Sequence, residues 1–292
     1  MNSRFAVIVL FLSSAAWGLT WLPAKALAAM GLYGMQLVLV TSFAVSVVLL
    51  PWMIKQREQW LPLWPVMLAI GFFGGFSNFA FQTSISQGDV IRVMILFYML
   101  PIWSVLGGRI ILKEVIDKKR ILALFLCVLG AFFILEAWTL SLEFGWIDLL
   151  ALGAGFSLAF SGIAFRFSAD TPIASKIGFT YVGSILFACF FLSIVPSQGG
   201  FPNNAAIPLA AVYGIFWLMI ITFGTLWAVT KLGVGRSASI IVMELVVAVL
   251  SVVIITKVDL KIHEFVGSVL AISAALIEGM RSDSNEAEIP TK

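Results

Sequence analysis

Ten apolar stretches occupy almost all of this chain, at approximately 5–23, 35–54, 63–84, 91–112, 120–138, 146–167, 175–195, 207–230, 237–256 and 264–280. At 1.5 Å of helical rise per residue, runs of about 17 to 24 residues match a hydrocarbon core of about 30 Å. The pattern predicts an all-α integral membrane protein with ten transmembrane helices. Only 11% of residues are charged and 61% are hydrophobic, against about a quarter charged in soluble domains. No soluble domain of useful size is left over. The polar segment 281–292 is too short to bury a core and is expected to be a disordered tail.

Ten divides into five and five, and an odd number of crossings makes a second half enter the membrane from the side opposite to the first. The expected architecture is two inverted five-helix repeats, residues 1–138 (helices 1–5) and 139–280 (helices 6–10). A shift of 144 residues supports it. Arg92 then meets Arg236, Tyr98-Met99-Leu100-Pro101 meets Val242-Met243-Glu244-Leu245, and Ser104-Val105-Leu106 meets Ala248-Val249-Leu250. Inverted repeats of this kind belong to carriers that bind substrate near the midplane and rock one set of helices against the other.

Basic residues collect in cytoplasmic loops. With the amino terminus inside, that side receives Arg4, Lys55, Arg57, Arg109, Lys113, Lys118, Lys119, Arg120, Arg166, Lys176, Lys231, Arg236, Arg281 and Lys292, and the other side Lys25, Arg92, Lys257 and Lys261. Both termini are therefore expected to be cytoplasmic, in a multi-pass inner-membrane protein. The net charge of +3 records topology and calls for no nucleic-acid partner. Reading Met1–Trp17 as a cleaved signal peptide competes with this, but it leaves an odd helix count and spoils the charge division. Cys127 and Cys189 fall within spans, far apart, and are read as packing residues.

The segment AAWGLTWLPAKAL, with Trp17-Gly18 and Lys25, resembles the opening helix of the drug/metabolite transporter superfamily, EamA type. Leu100-Pro101 within the fourth helix, Glu114 after it, a basic turn and Gly130 are similar too, as are Gly145 and Asp148 ahead of LLALGAGFSLAF. The resemblance implies a ten-helix inverted-repeat carrier of small metabolites, often exporting amino acids, with a cavity lined by helices 1, 3, 4, 6, 8 and 9. Two departures stand out. Thr41, Ser42 and Phe43 replace a basic residue common in the second helix, and Lys257-Val258 stands where the second half would repeat Glu114.

Glu244 is the sharpest single position. A carboxylate inside the bilayer costs at least ~2.5 kcal/mol, so it faces a cavity, a partner or a proton path. Trp17 and Trp21, four apart, share a helical face. Tyr98 and Trp103 flank Pro101, which frees a backbone carbonyl and bends the fourth helix. Asn78 and Gln82 are amides that cannot face lipid unpaired, and Ser157 and Ser161 repeat their spacing, although such small-xxx-small patterns, like Gly71-xxx-Gly75, also serve close packing. The expected substrate-binding set is Trp17, Trp21, Asn78, Gln82, Tyr98, Trp103, Ser157, Ser161 and Glu244. Pro101, Arg92 and Arg236 are the candidates for hinge and gate, with surface anchoring the competing reading of the two arginines.

No catalytic, cofactor or metal motif survives inspection. Gly233-Val234-Gly235 opens a dinucleotide-like string without a βαβ unit, and His263 has neither a second histidine nor a nearby cysteine. The expected partners are a small-molecule substrate and membrane lipid, with the chain acting as a monomer or weak dimer. The expectation is a secondary transporter exporting small metabolites, neutral or aromatic amino acids first. A multidrug or organic-cation exporter of the same fold is the alternative.

Overall fold

The computed structural model describes residues 3–87, 90–113, 116–134, 136–139, 144–194, 204–232, 234–257 and 261–279. Within them ten helical crossings follow one another. Span 1 comprises Ser3–Gly18 and Trp21–Ala29, and span 2 is Gly34–Lys55. Span 3 runs from Arg57–Trp60 through Trp64–Ala69 to Gly75–Gln87, and span 4 joins Val90–Phe97 to Leu100–Ile111. Spans 5, 6 and 7 are Lys118–Ile134, Trp146–Phe167 and Ile173–Ile194. Span 8 joins Ala206–Tyr213 to Met219–Lys231, span 9 joins Val234–Ile241 to Met243–Thr256, and span 10 is Ile262–Gly279. Seven of these are long and apolar enough to cross a membrane alone, while spans 9 and 10 are shorter apolar helices. Ten crossings return the last span to the face where the first begins, called here the terminal face. Glu114, Asp89, Val258, the side chain of Arg92 and the segment 281–292 lie outside the described residues.

The 144-residue offset is written into the backbone. One wide π turn interrupts span 3 at Ile70–Gly74 and another interrupts span 8 at Gly214–Leu218. Span 4 breaks at Tyr98-Met99 and span 9 at Val242. Lys113 and Lys257 both adopt a left-handed backbone, with φ of 57° and 55°. Each pair is separated by 144 residues. The carrier-type inverted repeat is thus marked by its irregularities, which a smooth helical pattern does not encode.

Helices approach closely where side chains vanish, since van der Waals packing and not hydrophobicity holds spans together in lipid. Spans 3 and 7 cross at Gly71, Gly75 and Gly183: a Cβ at Gly75 would sit 2.5 Å from the Gly183 carbonyl carbon. The inverted counterpart crosses spans 8 and 2, where a Cβ at Gly214 would fall 2.9 Å from the Thr41 carbonyl oxygen. Both contacts involve a π turn. Spans 5 and 10 meet at Gly130 and Gly267. Cys127 is buried as expected of a packing residue, whereas Cys189 is exposed on the outer surface and does not pack in the interior. Gly145 caps span 6, its N–H donating to the Asp148 carboxylate at 2.7 Å, which satisfies one of the donors left open at a helix start.

On the face opposite the termini, Lys261 Nζ donates to Glu136 Oε1 at 2.9 Å, and His263 Nε2 lies 2.9 Å from the same oxygen. His263 belongs to the first turn of span 10. The hydrogen bond from Lys261 holds the Glu136 carboxyl below its ordinary range and lifts the Lys261 ammonium above its own. A depressed carboxylate contributes stability above its unfolded pKa and loses it as pH falls through the folded value. A raised lysine contributes below its unfolded pKa and loses it as pH rises through the folded one. The tie between spans 5 and 10 therefore holds across neutral pH. The difference in melting temperature between wild type and Glu136→Gln in detergent is expected to shrink as pH is lowered past about 4. A difference constant from pH 7 to pH 3 would remove the ion pair from the account.

Candidate functional site

The breaks in spans 4 and 9 lie eight residues from their respective starts at Val90 and Val234. At 1.5 Å per residue each is about 12 Å deep, from opposite faces, so both approach the midplane. Pro101 explains the first. It has no N–H to offer the carbonyl of Phe97, four residues earlier, and its ring crowds that carbonyl. Gly155 of span 6 leaves room for the freed oxygen, as a Cβ at Gly155 would collide with it. Pro23 acts similarly in span 1, whose helix stops at Gly18 and restarts at Trp21, with Thr20 Oγ1 donating to the Trp17 carbonyl at 2.7 Å. Span 9 has Leu245 where span 4 has Pro101, yet it breaks too, closing a tight Leu245 N–H to Val242 carbonyl bond of 3.0 Å.

Between these broken helices lies a cavity of about 230 Å³. Span 1 gives it Trp17, Thr20 and Trp21, and span 3 gives Ser77, Asn78, Phe81 and Gln82. Spans 4 and 6 add Phe97, Leu100, Ser104, Leu158 and Ser161, and span 8 adds Tyr213, Thr222 and Thr225. Span 9 supplies Ser237, Ile241 and Glu244. Span 7 also contributes, through Thr180 and Tyr181. Ala6, Leu10, Ala228, Leu232 and Ile240 pack as one buried cluster of spans 1, 8 and 9, outside the cavity lining.

Six of the nine proposed binding residues line this space: Trp17, Trp21, Asn78, Gln82, Ser161 and Glu244. Three do not. Tyr98 is 2% exposed and packs into the core with Phe79, Phe97 and Val246, its hydroxyl turned towards the Glu244 carboxyl. Trp103 packs edge-on against Phe156 of span 6, with centroids 5.7 Å apart. Ser157 is buried in span 6 and is not part of the cavity lining. The helical face expected to carry Trp17 and Trp21 together is interrupted between them, and both still reach the cavity because the chain turns at Leu19-Thr20.

The lining is cross-braced. Trp17 Nε1 donates to Thr225 Oγ1 at 3.1 Å, and Trp21 Nε1 donates to Ser251 Oγ at 2.9 Å. Asn78 Nδ2 donates to Ser184 Oγ at 3.0 Å, so its amide serves span-to-span bonding and lines the cavity at once. The Tyr181 hydroxyl pairs with Thr222 Oγ1 at 2.9 Å. Gln82 has no hydrogen-bonding partner among the described residues, leaving its amide to whatever fills the space. Of the gate candidates, Arg236 is 1% exposed, which overturns the surface-anchor reading for it. Pro101 is buried at the break itself.

Sequence reasoning passed over Tyr181, Thr222, Thr225 and Ser237. The signal was available in part. Thr222 and Thr225 are polar residues three apart inside an apolar helix, the same costly pattern that singled out Asn78 and Gln82.

A polytopic helical protein built as an inverted pair, with a midplane cavity between broken helices, is a membrane transporter of small molecules. Residues 4–136 match the EamA-like transporter family, a match consistent with the drug/metabolite transporter superfamily. A solved crystal structure of a protein 15% identical in sequence superposes with a TM-score of 0.74, over 93% of this chain and 95% of the other. That likeness concerns the fold. No curated protein sequence matches the chain.

Proposed function

We propose that the protein is a secondary transporter exporting small amphipathic metabolites that join an amine to an apolar body, with neutral and aromatic amino acids first among them. The observation that carries this reading is the composition of the cavity. Aromatic walls from Trp17, Phe81, Phe97, Tyr181 and Tyr213 surround a few amides, hydroxyls and one carboxylate. Pockets of this kind place apolar surface against rings and use sparse polar groups for orientation. The division of basic residues, 14 to one side and 4 to the other, supports an inner-membrane orientation with both termini cytoplasmic. The cavity is complete within one chain, which supports a monomeric working unit.

One observation favours a second reading. Glu244 forms no ion pair with Lys, Arg or His among the described residues, so it is free to act as counter-ion for a lipophilic organic cation. Counterflow in proteoliposomes tests the two. Vesicles preloaded with unlabelled phenylalanine or leucine are expected to accumulate the labelled amino acid transiently above protein-free vesicles. Tetraphenylphosphonium exchange without amino-acid exchange would replace the first reading by the second.

A further inference from the structure

The charges around the cavity are unequal, and the inequality selects among amphipathic amines. Glu244 is 9% exposed and is the one acid in the lining, and no Lys, Arg or His joins it there among the described residues. Two buried basic groups of spans 6 and 7 are committed elsewhere. Arg166 Nη1 donates to the Leu232 carbonyl at 2.6 Å, and Lys176 Nζ donates to the Phe165 carbonyl at 3.3 Å. The neutral donors of Trp17, Trp21 and Asn78 already serve Thr225, Ser251 and Ser184.

The backbone at Glu244 is held from span 1, and its carboxyl is faced from span 4. Gly18 of span 1 lies against the Glu244 carbonyl so closely that a Cβ there would collide with it, and Tyr98 faces the carboxyl from span 4. Its hydroxyl makes no hydrogen bond of normal geometry. An incoming ammonium therefore meets a preplaced acceptor with no competing cation. An incoming carboxylate must shed water and meets no charged donor in the lining, the Lys25 ammonium of span 1 lying instead over the Trp21 ring, 5.7 Å from its centroid.

We infer that Glu244 recognises the amine of the substrate and that the substrate's carboxylate is dispensable, so that amines and carboxyl-blocked amino acids are preferred over free amino acids. This rests on the amphipathic-amine reading above and reorders it, setting amines ahead of the free amino acids named first there. The preferred class is a primary ammonium on an apolar or aromatic body, such as an aryl-alkyl amine or an amino-acid amide.

Counterflow with separately labelled phenylalanine and phenethylamine tests it, alongside competition by phenylalaninamide, N-acetylphenylalanine and 3-phenylpropionate. Phenethylamine and phenylalaninamide are expected to compete about tenfold better than phenylalanine, and the two compounds without an ammonium at least about tenfold worse, one charged hydrogen bond being of that size. Glu244→Gln is expected to erase the preference for amines over N-acetylphenylalanine, and Glu244→Asp to keep it. Phenylalanine exchange without phenethylamine exchange overturns the inference and leaves the amino-acid reading standing. Phenethylamine exchange without phenylalanine exchange supports the inference and overturns amino acids as the substrate. Failure of both labels in folded protein overturns the two readings together, and an amine preference that survives Glu244→Gln overturns the inference alone.

Discussion

Gly183→Val is expected to abolish the folded transporter. The Cβ of any residue at 183 would land on the Gly71 carbonyl, and a Cβ at Gly75 would in turn sit against the Gly183 backbone. Neither span can simply withdraw. Span 3 is widened there by the π turn at Ile70–Gly74, and span 7 carries on past the contact to the Ser184 hydroxyl, which receives the Asn78 amide and donates to the Gly75 carbonyl at 3.3 Å. Overpacking a tight core by single methylenes costs about 1–3 kcal/mol, and here a β-branched side chain meets backbone that cannot rotate away. A domain stable by only about 5–15 kcal/mol has little room for that. In detergent, the variant is expected to lose its monodisperse size-exclusion peak. Gly153→Ala, whose added methyl meets the edge of the Phe76 ring at 3.2 Å, is expected to melt within about 1 kcal/mol of wild type. A monodisperse Gly183→Val protein of wild-type stability would show that the crossing is looser than its geometry.

The same crossing indicates what a sequence of this type reveals. The spans are legible because crossing a bilayer demands length and apolarity, and both are visible residue by residue in stretches such as 35–54 and 146–167. Which face of a span meets protein is poorly encoded, since lipid and protein interior are alike apolar. That is why Trp103 and Ser157 were drawn to the site while Thr222 and Thr225 were passed over. The bend of span 4 could be read from Pro101. The bend of span 9 could not, because Leu245 occupies the matching position and the repeat alone preserves the break. Counting charges by loop gives an expected orientation, yet it could not reveal that Arg120, Lys176 and Arg236 are each 1% exposed or less. The count depends on which side a basic residue occupies, not on what surrounds it.

Glu244→Met is expected to raise the melting temperature while lowering exchange at least about tenfold, or about 1.4 kcal/mol. A carboxyl buried without a cationic partner is a cost to the folded state, and an apolar side chain of similar length relieves it, a gain of about 1–3 kcal/mol. The opposing loss is the interaction with the Tyr98 hydroxyl, and it is small because that hydroxyl makes no hydrogen bond of normal geometry. Stability and transport should therefore move in opposite directions. If Glu244 merely cemented spans 4 and 9, removing it would lower both together, and thermal unfolding beside proteoliposome exchange separates the two outcomes. The pseudo-symmetry sharpens the argument, for Leu100 occupies the matching position in span 4 beside an equivalent break. The scaffold thus forms that break without an acid at the matching place. On the proposed reading, a carboxylate at 244 answers to what enters the cavity, since the fold has an apolar solution to the same corner in its other half.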